Sequence, residues 1–423
     1  MSMKKMSLSA GMAYDWMVIT FLSRDTIDKF FQVVLSRIGL LHLYSSFTAF
    51  VIFFPVLIFS ILSFSRMKAC LPFLILYISL YLVFQINLSI HPDYLQYYTR
   101  EIYGAYTVFF SFSTGAIWGF LVFTLAPKAK HILADIHIAA ILLLIYCLFI
   151  FYKASKAGYW EEFDDRGVLI KIDYSLVFGY KTIFCCIVFI FFFFEKRNVL
   201  DLVGAILSFF MDIKAGSRGS LICLGMFVVL YMLVKARRMK TIHKITISVA
   251  FLGLYVFISK YFSKISSFVL SLLKKLNINS RTVEMLLNGN IASDNGRARI
   301  SELSWDGIAK QGFFGMGPFG CRTIIAPYYN YGYPHNIFLE FVLDYGWFFG
   351  TLALTVLMIM IIRTLMKKNK IQTSVLIILL SMCMKLLISG SYWSEPLFWG
   401  LVGWAYICKS QKNRNDIFQL IGI

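Results

Sequence analysis

The stretch YSLVFGYKTIFCCIVFIFFFF, residues 174–194, decides the fold class. It runs for 21 residues with one charge, Lys181. About 20 apolar residues in a helix cross the ~30 Å of hydrocarbon in a bilayer. Similar runs lie on both sides of it, at 43–63, 71–88, 104–125, 131–153, 199–213, 219–234, 244–261, 346–362, 372–389 and 394–408. Residues 10–42 hold either one more broken span or an amphipathic helix lying in the interface. The expectation is an all-α polytopic integral membrane protein of about 11–12 transmembrane helices. Residues 1–423 then form a single transmembrane domain that contains one large loop, 262–345. Composition agrees. Hydrophobic residues make up 59% of the chain and charged residues 15%, with a mean hydropathy of +0.72. Soluble domains are roughly 45–50% apolar and 25% charged. Soluble, disordered and fibrous proteins are excluded.

The net charge of +19 comes from clusters between the spans. One set of alternate connections carries Arg66, Lys68, Lys128, Lys130, Lys196, Arg197, Lys235, Arg237, Arg238, Lys240, Lys244, Arg363, Lys367, Lys368, Lys370, Lys409, Lys412 and Arg414. The short loops of opposite parity carry Arg100, Lys156, Arg166, Lys171, Lys214 and Arg218. Positive residues concentrate on the cytoplasmic side. The first set and the C-terminus are therefore expected inside, and the loop 262–345 outside. Charge distributed in this way reports membrane topology, and no nucleic-acid partner is expected. Of the eight cysteines, Cys147, Cys185, Cys186, Cys223 and Cys383 sit in apolar runs as small hydrophobes. No pair or cluster has zinc spacing.

The outer loop is far longer than a helix connection needs, and long loops of this kind are usually functional or disordered. Its apolar pieces Ile265–Leu276 and Glu302–Ala309, and the turn glycines Gly312, Gly315, Gly317 and Gly320, argue for order. It ends in Tyr328-Tyr329-Asn330-Tyr331-Gly332-Tyr333-Pro334-His335-Asn336. Tyrosines interleaved with asparagine suit a sugar-contacting surface, with Tyr333 and Asn336 as substrate contacts. An interfacial aromatic belt is the other reading. Three basic or titratable positions stand on the same side. Arg218 opens a span in Gly216-Ser217-Arg218-Gly219, where helix N–H groups favour an anion, or where an arginine snorkels. Arg297 and Arg299 follow Gly296 and offer forks for a diphosphate, or are solvated loop charges. His335 offers a neutral imidazole as general base, or caps a helix.

Within the spans, Lys181 and Lys385 are costly charges that face a cavity or a partner. Either neutralises a buried anion or pairs structurally. Glu395, before Pro396, orients His335, pairs an arginine, or caps the helix that follows.

The order of these pieces resembles the O-antigen polymerase (Wzy-type) and ligase superfamily. The resemblance rests on Gly216-Ser217-Arg218-Gly219, then Gly296-Arg297, then Gln311-Gly312-Phe313-Phe314-Gly315-Met316-Gly317, then His335-Asn336-Ile337-Phe338-Leu339-Glu340. It implies a GT-C-like helical fold in a bacterial inner membrane, with the active site on the periplasmic side. It implies a glycan donor on undecaprenyl diphosphate, no cofactor and no metal, and a chain-length-determining co-polymerase as partner. By position it makes Arg218 and Arg297 diphosphate ligands and His335 the catalytic base; Arg299 has no place in the motif. Gly312 stands where many members carry proline.

The expected reaction is attack of a sugar hydroxyl of an acceptor repeat unit on the donor's C1, with inversion. Two arginines would stabilise charge on the departing diphosphate. The expected activity is polymerisation of repeat units. The rivals are ligation of finished polymer to lipid A-core, and transport by a lipid-glycan flippase. A flippase usually shows two similar halves, and this chain has no internal repeat.

Overall fold

The computed structural model describes residues 3–61, 64–125, 129–163, 169–237, 260, 264, 267–268, 271, 297–311 and 313–410. The expected span 244–261 apart from Lys260, the loop residues 272–296 with Gly296, and Gly312 lie outside the described residues. Among the described residues, six helices are long and apolar enough to cross a membrane: Lys68–Ile90, Ile132–Ala157, Leu176–Lys196, Arg218–Ala236, Ile337–Leu365 and Lys370–Leu387. The chain is an all-α polytopic membrane protein. Its one described sheet is a two-stranded hairpin.

Two compact units emerge. The first comprises Met1–Tyr146, Phe163–Val168 and Gly296–Ile423; the second comprises Cys147–Glu162 and Leu169–Asn295. In chain order the helices are α1 Met3–Leu22, α2 Arg24–Ser36, α3 Tyr44–Ile61, α4 Phe64–Ile90, α5 Leu95–Tyr98, α6 Trp118–Leu125 and α7 Ala129–Ala157. Strands β1 Trp160–Phe163 and β2 Leu169–Ile172 follow. Then come α8 Leu176–Lys196, α9 Val199–Ala215, α10 Arg218–Ala236, α11 Arg297–Gln311, α12 Cys321–Ile325, α13 Ile337–Leu365, α14 Lys370–Cys383 and α15 Pro396–Ser410.

In the first unit, residues 10–42 form two helices joined at Ser23. α2 is amphipathic, with Arg24 paired to Asp28 at 3.3 Å on one side and Phe30, Val33 and Val34 exposed on the other. The expected span 104–125 is not one helix. A π-turn at Tyr106–Phe110 gives way to an irregular segment, and only the eight residues of α6 continue. Ser111 explains the break. Its hydroxyl accepts from the N–H groups of Ser113 (3.2 Å) and Thr114 (3.3 Å), an alternative to the helical ladder. Its carbonyl accepts from Trp118 Nε1 at 2.8 Å. A non-helical backbone at this depth needs partners from the protein, since lipid offers none. α6 then packs closely on α15 through glycines. A Cβ at Gly119 would lie 1.9 Å from the Pro396 carbonyl oxygen, and one at Gly403 would lie 2.7 Å from that of Phe120.

α13 is one helix in outline and two in detail. Gly346 interrupts it at φ 75°, ψ 173°, a region essentially reserved for glycine. The break removes the helical N–H partners of the preceding carbonyls. The turn Gly315-Met316-Gly317 supplies replacements: Met316 N–H donates to Leu343 O and Gly317 N–H to Asp344 O, both at 2.8 Å. The fit is close enough that a Cβ on Gly315 would lie 2.2 Å from Gly346 N. The turn is gripped from its far side as well. Tyr94 OH donates to Met316 O (3.1 Å), and Tyr98 OH donates to Pro318 O (2.9 Å).

In the second unit, α8 and α9 form a hairpin. Arg197 turns the chain in the left-handed region, and Asn198 Oδ1 caps α9 by accepting from Leu200 N–H at 3.2 Å. Gly204 lets α9 approach α8, where the Phe189 ring lies 3.0 Å from a built Cβ. Gly216 (φ 75°) ends α9, and Ser217 leads into α10.

Candidate functional site

The first unit gathers a site at the start of α13. Asn336 is the N-cap, its side-chain oxygen accepting from Phe338 N–H (2.9 Å) and Leu339 N–H (3.3 Å). Asn336→Ala is expected to lower stability by about 1 kcal/mol, read as a fall in Tm of the detergent-solubilised protein. His335 immediately precedes this cap. Its backbone lies in the left-handed region, φ 55°, where a non-glycine residue is strained and such strain clusters at functional sites. Its ring packs against two tyrosines that also touch each other, with centroids 4.6 Å from Tyr331 and 4.7 Å from Tyr333. Its Nδ1 is buried and has no hydrogen-bond partner among the described residues. Edge-to-face contacts with these rings, at interplanar angles of 64° and 68°, surround this imidazole.

Burial pushes the His335 pKa down to about 4, and the charge of Arg297 pushes in the same direction. The imidazole is therefore neutral and able to accept a proton across the physiological range. Arg297 is the first residue of α11. The same helix separates it from Arg299. Residues two apart on a helix do not share a face, so the two arginines do not make one joint fork. Arg299 instead pairs with Glu302 at 2.8 Å on an exposed surface.

The tyrosine run curls inward. Tyr329 stacks on Tyr331 at 5.7 Å, and Tyr331 meets Tyr333 at 5.2 Å. Arg100 Nη1 donates to Asn330 O at 3.0 Å and lies over the Tyr97 ring. Tyr328 faces outward. A separate band of exposed aromatics, Trp305 against Trp347 and Phe313 against Phe348, has the character of an interfacial belt.

Beneath the run lies a buried polar network. Arg322, on α12, is 3% exposed. Its Nη1 donates to Glu340 Oε1 at 2.8 Å, and its Nη2 to Ser391 Oγ at 3.2 Å. Tyr392 N–H donates to Glu340 Oε2 at 3.3 Å, and Tyr392 OH and Trp393 Nε1 both donate to Asp344 Oδ2. Cys321, Glu340 and Asp344 offer ligand atoms within 4.8 Å of one another, a spacing that suits a cation. The guanidinium of Arg322 supplies a positive charge to that cluster, donating to Cys321 Sγ as well as to Glu340. Sequence reading gave Arg322 no role. The available signal was an arginine five residues after the glycine turn, matched by a glutamate in the first turn of the apolar helix that follows His335. Lys385 and Glu395 pair with each other, and Glu395 Oε1 also accepts from Leu397 N–H at 3.3 Å.

In the second unit, Arg218 is the first residue of α10, directly after Ser217, so it stands at the helix N-terminus. The Ser175 hydroxyl caps α8 by accepting from Phe178 N–H and also donates to Glu162. Burial raises the Glu162 carboxyl, while Ser175 and the charge of Lys181 hold it back.

No curated protein and no solved structure matches the chain. Residues 203–355 match the family model described as O-antigen ligase. That segment contains Arg218, Arg297, the glycine turn, Arg322, His335 and the Gly346 break. Over that segment the chain is similar to the O-antigen ligase family, in keeping with the resemblance carried by its motifs.

Proposed function

We propose that the chain polymerises lipid-linked O-antigen, or a similar surface polysaccharide, at the periplasmic face of the inner membrane. The family is one of glycosyl transfer in O-antigen processing, acting on lipid-linked polysaccharide in a bacterial membrane. The finer reading is that glycan leaves undecaprenyl diphosphate and joins a sugar hydroxyl of an acceptor repeat unit. One observation carries it: a half-buried His335 in the left-handed region, its Nδ1 buried with no hydrogen-bond partner among the described residues and its pKa lowered by burial and by Arg297, inside the segment that matches the family. In this reading His335 accepts the hydroxyl proton as oxygen attacks C1. Arg297 stabilises charge on the departing diphosphate, and Arg218 takes the same role from the motif order. Attack from the face opposite the diphosphate inverts the anomeric centre. The reaction draws on arginines and an imidazole, with no metal in any step. The positive-inside pattern supports a cytoplasmic C-terminus, and a chain-length-determining co-polymerase is the expected partner.

The description of the matched family favours a second reading, ligation of polymer to lipid A-core. A chromosomal knockout read as a lipopolysaccharide ladder separates the two. Core carrying one repeat, restored to a full ladder by wild type and not by Arg297→Lys, supports the polymerase. A point charge does not reproduce the fork. Core without any repeat supports the ligase.

A further inference from the structure

We propose that Arg322 is a positioning residue: clamped to Glu340 and Ser391, it holds Tyr333, and through it the ring of His335, in place for proton transfer. The inference rests on the reading of His335 as the base. Arg322 is sandwiched between two rings, its Cζ 4.1 Å from the Phe319 centroid and 5.5 Å from that of Tyr333. The loop wraps its stem, since a Cβ on Gly332 would lie 2.9 Å from Arg322 Cγ. Tyr333 in turn packs on His335. With no hydrogen-bond partner at Nδ1 among the described residues, the imidazole depends on those ring contacts for its orientation. The other end of the guanidinium ties α12 to the first turn of α13 and to the Ser391 segment. Ser391 Oγ also donates to Glu340. Three chain segments thus converge on one cation that points away from solvent.

A fully buried ion pair is seldom a net source of stability, and well-packed apolar replacements of both partners are often neutral or better. That property separates positioning from folding. The test is R322M/E340M in the full-length protein. It is purified in detergent and assayed with undecaprenyl-diphosphate-linked repeat units extracted from cells lacking the chain, beside wild type and H335A. The expected result is a Tm within about 5 °C of wild type, an unchanged donor KM, and kcat lower by about 100-fold, the scale of an ångström of misplacement. The acid limb of kcat/KM should also move from near 4 towards 6.5 as the ring loses its burial. A folded double variant with wild-type kcat, while H335A is dead, overturns the inference and leaves the function standing. Full activity in H335A overturns the function itself. If the double variant does not fold, isosteric E340Q decides. A kcat loss at constant KM supports the clamp, and wild-type kcat overturns it.

Discussion

His335→Ala is expected to lower glycan transfer by about 10²–10⁴-fold, the range that a positioned general base supplies, without loss of protein from the membrane. The site also fixes a pH signature. Because the free imidazole titrates near 4, the acid limb of kcat/KM should lie near pH 4 and not near 6.5. Donor binding changes this. A diphosphate beside Arg297 cancels part of the charge that depresses His335, so the limb in kcat, which reports the bound complex, should lie at higher pH than the limb in kcat/KM. Coincident limbs would sink the coupling between Arg297 and His335. Stability follows the same linkage. The unfolded chain protonates this histidine below about 6.5, and the folded chain does so only near 4. The unfolded state therefore binds more protons within that window, and the folded state loses stability as pH falls through it. His335→Ala should flatten this part of the Tm–pH curve. An equal slope in both proteins would place the acid sensitivity elsewhere.

Gly346→Ala is expected to be severely damaging, because the residue combines a left-handed backbone with a backbone clash. The residue occupies φ 75°, ψ 173°, and a non-glycine side chain there is strained by about 1–3 kcal/mol before any contact is counted. The contact is severe, because the added Cβ would lie 2.0 Å from the Phe313 carbonyl oxygen. That atom is backbone and cannot rotate away. Relief requires the glycine turn to withdraw, which breaks the bonds from Met316 and Gly317 to Leu343 and Asp344. The prediction is a several-fold or greater fall in membrane-inserted, detergent-monodisperse protein, measured by fluorescence size-exclusion of a tagged chain. Gly225→Ala is the control, because a built Cβ at that helical glycine meets nothing within 4 Å. Equal yields from both variants would show that the turn and the helix break are independent.

The fold class was legible because a bilayer imposes a length on every crossing helix, and residues 174–194 satisfy it without help from the rest of the chain. The irregular stretch at Ser111 was not legible, since the apolar run continues on both sides of Ser111–Gly115 and the break is made by one hydroxyl serving two backbone N–H groups. His335, Arg297 and Arg218 were legible as polar residues at the ends of apolar runs. Arg322 was not. Its importance comes from contacts with residues 18 and 69 positions away, Glu340 and Ser391, and no local pattern encodes them. Arg299 shows the converse: its closeness to Arg297 in sequence suggested a joint fork, and helical geometry turns the two apart.

The splice between the glycine turn and α13 has a genetic consequence. Surface loops ordinarily tolerate insertions, and residues 313–320 look like such a loop when drawn as a connection between helices. Two of its N–H groups complete the backbone of another element, so an inserted residue would shift their register and strand two carbonyls. Leaving a buried polar group unmatched costs about 1–3 kcal/mol each. A transposon or insertion scan across 313–320 should therefore read like one through the middle of a transmembrane helix.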